Sequence, residues 1–313
     1  MKQSFVTSKT LQSAGLGMSI KDVKKKLFIS FSGGRTSGFM TWWLIENYSD
    51  QFDIQVVFAN TGSEREETLE FVDKCDKRFG WRVAWIEAVV HHGKRKGSTH
   101  KVVNFKTASR KGEPFEEVIK EYGIPNMAYP HCTRELKTNA MSSFIKSLGW
   151  TKWTTAIGIR ADEVDRINPK FRELRFWYPL VGLSITKQDV KRWWLKQPFD
   201  LELQEHQGNC AWCWKKSLRK HMTLINEDSE IYDFPRRMEA EHGLSGHNVD
   251  GNPRTFFRQN MSTDDLFELA KQPFRPFVES DDWKQEMLFE DESNGCSSSC
   301  EAFGPNFTDW ADQ

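Results

Sequence analysis

The sequence predicts an α/β fold: a doubly wound parallel sheet over about residues 22–218, followed by a mainly helical C-terminal region. Three observations predict it. Short apolar runs alternate with helical patterns through the first half. A glycine-rich turn joins the first apolar run to the first helical pattern. From about residue 220 the pattern becomes helical and charged, without strand-like runs.

The elements follow in order. "LFISF" (27–31) reads as a buried strand, and "GFMTWWLIENY" (38–48) has the apolar spacing of a helix. "IQVVFAN" (54–60) is a second strand. Residues 65–80 form a helix with acids early, bases late and Gly80 at the end, as helix termini favour. "RVAWIEA" (82–88) is a third strand, the basic and glycine-containing segment 90–112 a loop, and "WTTAIGIR" (153–160) a fourth strand. Thr186 with Asp189 makes an N-cap pair, and "STDDLFELAKQ" (262–272) opens on a cap at Ser262 or Thr263. Four regions result: an N-terminal extension (1–21), the α/β domain (22–218), a helical region (219–290) and a cysteine-containing tail (291–313). Met18 is an alternative start, because the first apolar strand begins only at Leu27.

Lys plus Arg equals Asp plus Glu, at 44 each, so global charge argues for no polyanionic partner and leaves only local patches. No apolar run has the length of a membrane helix, and no secretory signal opens the chain. A soluble cytoplasmic protein, with no membrane partner, is the expectation. The six cysteines, without a signal peptide, suit metal or redox chemistry better than a disulfide framework.

A glycine-rich turn between a buried strand and a helix suits phosphate, because glycine lets the backbone approach and the helix start supplies unpaired N–H groups. Here it reads Ser32-Gly33-Gly34-Arg35-Thr36-Ser37, which is neither the P-loop nor the dinucleotide spacing. The alternative is a strand–turn–helix junction without a ligand.

This loop resembles the pyrophosphate-loop (PP-loop) signature of the adenine nucleotide alpha-hydrolase superfamily. Other stretches resemble its PAPS reductase-like family in the same order: Thr61-Gly62 with Glu67-Thr68, "GIRADEVDR" (158–166), and "YPLVGLSITKQDVKRWW" (178–194). The resemblance spans about residues 27–216 and points to a phage or prokaryotic member related to iron–sulfur thiolation enzymes. It implies an adenine nucleotide, ATP or PAPS/APS, held by Ser32, Gly33, Gly34, Thr36, Ser37, Asn60, Thr61, Gly62 and Gly158. It further implies Arg35, Lys137 and Arg160 as cationic clamps, with Glu163 and Arg166 in the same catalytic set, and Mg2+ if ATP is used.

Cys210 and Cys213 are two residues apart, a metal or cluster spacing that is incomplete alone. By the resemblance, Cys132 joins them around a 4Fe-4S cluster, with Cys300 (or Cys296) as fourth ligand or the fourth iron open; zinc on the same thiolates is the alternative. His131 stands where related reductases carry a further cysteine, and the Glu-Cys-Gly-x-His tail of sulfonucleotide reductases is missing. Cys75, mid-helix, reads as packing, and His91-His92 as a solvated loop.

The expected function is therefore an enzyme that binds an adenine nucleotide and performs sulfur chemistry, either sulfonucleotide cleavage or adenylation-dependent sulfur transfer, with a sulfur donor or reductant protein as partner. A tRNA- or DNA-thiolating enzyme is one alternative, with Lys94, Arg95, Lys96, Lys101, Lys106, Arg110 and Lys111 as its basic surface. A non-catalytic nucleotide- or cluster-binding module is another.

Overall fold

In the computed structural model, which describes residues 24–93, 96–246 and 251–278, the first apolar run becomes the middle of a sheet. β1 (Lys25–Ser30) pairs in parallel with β2 (Phe52–Asn60) on one side and β5 (Thr154–Ala156) on the other. β3 (Ala84–Val90) extends the sheet beyond β2, and β6 (Phe176–Trp177) closes the far edge beside β5. The order is β4-β3-β2-β1-β5-β6.

The segment read as a loop, 90–112, contains the remaining strand. β4 (Ser98–Val103) pairs antiparallel with β3 from Trp85↔Val103 to Val90↔Ser98. It is an edge strand with a mostly exposed or half-buried face, so it lacks the apolar run that marks the central strands. The fourth expected strand, 153–160, is shorter than its apolar run. Its ladder with β1 ends at Ala156, and the chain then leaves the sheet towards the first glycine-rich loop.

Alternate residues of the strands feed two apolar layers, as a sheet buried on both faces requires. Leu27, Ile29, Val56 and Phe58 face α1 (Arg35–Tyr48) and α2 (Glu66–Phe79). Phe28, Val57, Ile86 and Ala88 face α3 (Glu113–Tyr122) and α4 (Asn139–Ser147). Helices thus cover both faces, and the doubly wound α/β class holds. Gly80 ends α2 at φ +66 in the left-handed region, the helix stop read from the sequence.

The later chain adds α5 (Pro179–Gly182), α6 (Lys187–Trp194), α7 (Leu218–Glu227), α8 (Asp233–His242) and α9 (Thr263–Ala270). Thr186 and Ser262 cap α6 and α9 in reciprocal capping boxes with Asp189 and Asp265. Leu224, Tyr232, Met238 and Leu266 join the same apolar layer as Phe28 and Val57, so the helical region shares the core of the sheet. Among the described residues no helix is long and apolar enough to cross a membrane. The extension 1–21, the tail 291–313, Met18, Cys296 and Cys300 lie outside the described residues.

Candidate functional site

The loop from Ser32 to Ser37 lies at the C-terminal end of β1, where open α/β sheets bind ligands. Gly33 sits at φ +80, and an added Cβ would stand 2.7 Å from the Thr68 methyl. Only glycine lets the turn lie flat on α2. Gly34 differs: at φ −103 it caps α1, and a Cβ there would meet only Ser32 Oγ, at 3.7 Å. The hydroxyls of Ser32 and Ser37 bond each other at 2.9 Å, and Ser37 Oγ donates to the Gly34 carbonyl at 3.1 Å. These bonds hold the first turn of α1 with its N–H groups lacking intrahelical acceptors.

The loop floors a cavity that is open at its mouth. Its walls carry Arg35, Arg160, Lys187 and Lys191 against one carboxylate, Glu205. Such a surplus of cations around unpaired N–H groups suits a polyanion. Gly158 belongs beneath the loop: a Cβ there would stand 3.2 Å from Ser37 Cα. Arg160 follows it, donating to Thr36 Oγ1 at 2.9 Å while Asp162 holds its other edge. Glu163 and Arg166 do not line the cavity; Glu163 bonds both arginines from behind. Arg35 lines the cavity, yet its guanidinium bonds Asp200 at 2.8 Å and the carbonyls of Leu203 and Leu201. It thereby fastens the 200–203 segment beside α1.

Thr68, part of the motif that the resemblance pairs with Thr61 and Gly62, lines this cavity, as do Gln204, Glu205, Gly208, Asn209, Lys187 and Lys191, which sequence reasoning missed as site residues. Lys187 follows the Thr186 cap and Asn209 precedes Cys210, so adjacency to noted motifs was the available signal. Glu205 bridges Lys187 and Lys220. Burial pushes its carboxyl up, but the two ammonium groups outweigh this and hold it below the usual range.

Asn60, Thr61 and Gly62 are expected at the same cavity but do not line it. The Asn60 amide is engaged by Glu87 at 2.7 Å and the Ser109 carbonyl at 2.9 Å. Thr61 instead lines a second, neighbouring cavity with Phe115, Cys132, Lys137, Cys210, Trp212, Cys213 and Trp214. The three cysteines singled out in the sequence, far apart in the chain, thus face one space. Lys137 faces it too, and does not line the first cavity as a clamp there would.

Local structure explains this convergence. Cys132 begins the helix that passes through a π turn, Arg134–Thr138, before α4, and the extra residue per turn re-aims the side chains there. Buried Glu135 anchors the turn, accepting from Ser98 Oγ at 2.7 Å and Asn139 at 3.1 Å. The 210–213 turn is tied to the end of β2 by the Glu64↔Cys210 bridge and by Ala211 N–H to the Ser63 carbonyl at 2.9 Å. Thr61 Oγ1 lies 3.5 Å from Cys210 Sγ. Burial pushes the Cys210 thiol up to about 12, Glu64 and Cys213 adding to the rise and Lys137 and Thr61 opposing it.

His131, beside Cys132, does not line the cavity: its Nε2 lies 3.1 Å from the Gly123 carbonyl, and burial pushes its pKa down to about 4. Cys75 is fully buried in α2 among Leu69, Phe71 and Val72, as expected of packing. His91 and His92 are exposed, as the solvated reading expects, with His92 beside Glu121 at 2.9 Å. Among the described residues, one set of His, Cys, Asp or Glu ligand atoms falls within 4.8 Å of one another: Glu116, Glu241 and His242. Arg237 and Lys120 already neutralise its carboxylates, at 2.9 and 3.0 Å from Glu116.

The family model described as the phosphoadenosine phosphosulfate reductase domain matches residues 26–111. An uncharacterized nin-region protein of Escherichia phage lambda is 31% identical over 290 residues, which cover 88% of this chain and 94% of that protein. An uncharacterized protein of Methanocaldococcus jannaschii is 28% identical over 141 residues, 45% of this chain and 24% of that protein.

Proposed function

Because the chain belongs to the phosphoadenosine phosphosulfate reductase-like family of the PP-loop superfamily, we propose that it is an enzyme that binds an adenine nucleotide in the loop-floored cavity and performs sulfur chemistry at the adjoining thiols. One observation carries this reading. The two cavities share a wall: Gly208 and Asn209 line the cationic one, and Cys210, the next residue, lines the thiol one. A phosphate-binding surface and three convergent cysteines would be an idle juxtaposition in a simple nucleotide carrier.

In this reading the α1 N–H groups, Arg160, Lys187 and Lys191 bind the phosphates, or the phosphate and sulfate of a sulfonucleotide, and stabilise charge that grows there during cleavage. Arg35, Glu163 and Arg166 hold the cationic wall in place. Mg2+ accompanies ATP if ATP is the nucleotide.

We read the thiol cavity as the seat of an iron–sulfur cluster, with zinc on the same thiolates as the alternative. No three ligand atoms that include a cysteine lie within 4.8 Å of one another among the described residues, so at least one pair of the sulfurs stands wider than that. A zinc tetrahedron with Zn–S of about 2.3 Å has sulfurs about 3.8 Å apart. A four-iron cube spreads its thiolates over separate irons and needs the wider set. Cys132, Cys210 and Cys213 would hold it, and the bound iron would supply the positive charge that keeps such buried thiols deprotonated. A nucleic-acid acceptor draws less support, since Lys101 pairs with Glu87 and Arg110 with Glu66.

Protein prepared without oxygen tests the proposal. Iron and acid-labile sulfide are measured first; ATP, APS and PAPS are then supplied while AMP, pyrophosphate and sulfite are followed. Turnover of one nucleotide by a brown protein is the expected result. Colourless protein that binds stoichiometric zinc and turns over none of the three overturns it.

A further inference from the structure

The one carboxylate in the wall of the cationic cavity is shared between two lysines. Glu205 turns Oε2 to the Lys187 ammonium and Oε1 to that of Lys220, at 3.5 Å. Glu205 and Lys187 line the cavity, whereas Lys220, on α7, does not. The two lysines also differ in freedom. The Lys187 side chain is 26% exposed and that of Lys220 8%. The Lys187 main-chain N–H is fixed, donating to Asp162 Oδ1 at 3.2 Å, but a flexible aliphatic stem separates it from the ammonium. Lys220 is packed in: its ammonium lies 4.6 Å from the centre of the buried Phe277 ring, whose N–H is fastened to Thr223 Oγ1 at 2.8 Å. A buried ammonium needs a charged partner, so Lys220 stays with Glu205. Together the two cations hold the Glu205 carboxyl below its usual range.

We infer that Lys187 is an exchangeable clamp: it leaves Glu205 for an incoming phosphate group, and Lys220 is the positioning residue that keeps Glu205 neutralised and in place when it does. The inference rests on the nucleotide reading of this cavity. Its physical basis is a competition. A carboxylate beside a phosphate-binding ammonium offers that ammonium another partner, and the ligand binds by the difference between the two. Without Lys220, Glu205 holds Lys187 more firmly and meets the ligand as an uncompensated like charge. Without Glu205, Lys187 has no competing carboxylate in the cavity wall.

The test uses the full chain with inorganic pyrophosphate as probe, titrated by calorimetry, and thermal denaturation to establish folding. Glu205→Gln is expected to bind pyrophosphate about tenfold more tightly than the parent, and Lys220→Met about tenfold more weakly. The double variant, which removes both charges, is expected to bind more tightly than Lys220→Met. A gain in affinity separates this role from a structural one, since a damaged wall does not tighten binding. A folded Glu205→Gln protein that binds pyrophosphate no more tightly than its parent overturns the inference and leaves the cavity reading standing. Should Glu205→Gln fail to fold, with Lys220 left beside no carboxylate, the double variant decides: affinity no higher than that of Lys220→Met overturns the exchange. A parent that binds none of pyrophosphate, ATP and PAPS overturns the cavity reading, and the exchange with it.

Discussion

Two adjacent glycines in the Ser32–Ser37 loop should fail in opposite ways when each gains a side chain. At Gly34 the backbone is ordinary, φ −103, and a Cβ meets only Ser32 Oγ at 3.7 Å. Gly34→Val should therefore fold, losing at most about 1 kcal/mol from a poorer helix cap. Its side chain, however, enters the cavity at the surface where the proposed phosphate would sit. Losing two charge-assisted N–H bonds, each about 1.5–3 kcal/mol, weakens binding by about 3–6 kcal/mol. That corresponds to at least about a hundredfold rise in Kd. Gly33→Ala should instead damage the fold. Its φ of +80 costs an alanine about 1–2 kcal/mol, and its Cβ would press on the Thr68 methyl from 2.7 Å. Calorimetry with ATP and PAPS, beside thermal denaturation of both variants, separates the two effects. A folded Gly34→Val protein that binds either nucleotide as tightly as its parent refutes the phosphate-loop argument.

Replacing Cys132, Cys210 or Cys213 with alanine should remove most iron and sulfide from anaerobic protein. Cys75→Ala should keep both and cost about 1 kcal/mol of stability, read from metal analysis and denaturant melts. Gly38→Ala should lower Tm although alanine favours helices by about 1 kcal/mol. Its Cβ would lie 2.8 Å from the Trp194 ring, which cannot slide away because its Nε1 donates to the Arg35 carbonyl at 2.8 Å; a raised Tm would contradict this. Burial pushes the Glu87 carboxyl up, but bonds from the Ser109 amide, Lys101 and Asn60 outweigh it and leave the folded pKa below the usual 4.5. The stabilisation is then complete above that value and lost as pH falls through the lower folded one. Glu87→Gln should melt lower than its parent at pH 7 and lose less stability on acidification; parallel pH profiles would exclude this role.

Much of this architecture is legible in the sequence because central parallel strands are buried on both faces. β1, β2 and β3 read as apolar runs, and α2 carries its acids, bases and terminal glycine in order. β4 escaped because an antiparallel edge strand, with Lys101 and Val102 exposed, needs no apolar run. In the site, Ser32–Ser37 and Gly158–Arg160 come together as read, since turn chemistry is local. Lys187, Gln204, Glu205 and Asn209 arrive from far along the chain, where no local turn chemistry marks them. The division of labour between two cavities was also hidden: Thr61 and Lys137 face thiols rather than the phosphate loop, a fact of packing that no motif encodes.

Consecutive residues reach both cavities. Asn209, held at φ +64, faces one space and Cys210 the next. At this point the two cavities are tied by adjacent residues, whose Cα atoms stand about 3.8 Å apart. One inserted or deleted residue at 208–210 would put the two halves out of step while leaving each half complete. On the proposed reading, such a protein would keep both binding surfaces and lose their alignment.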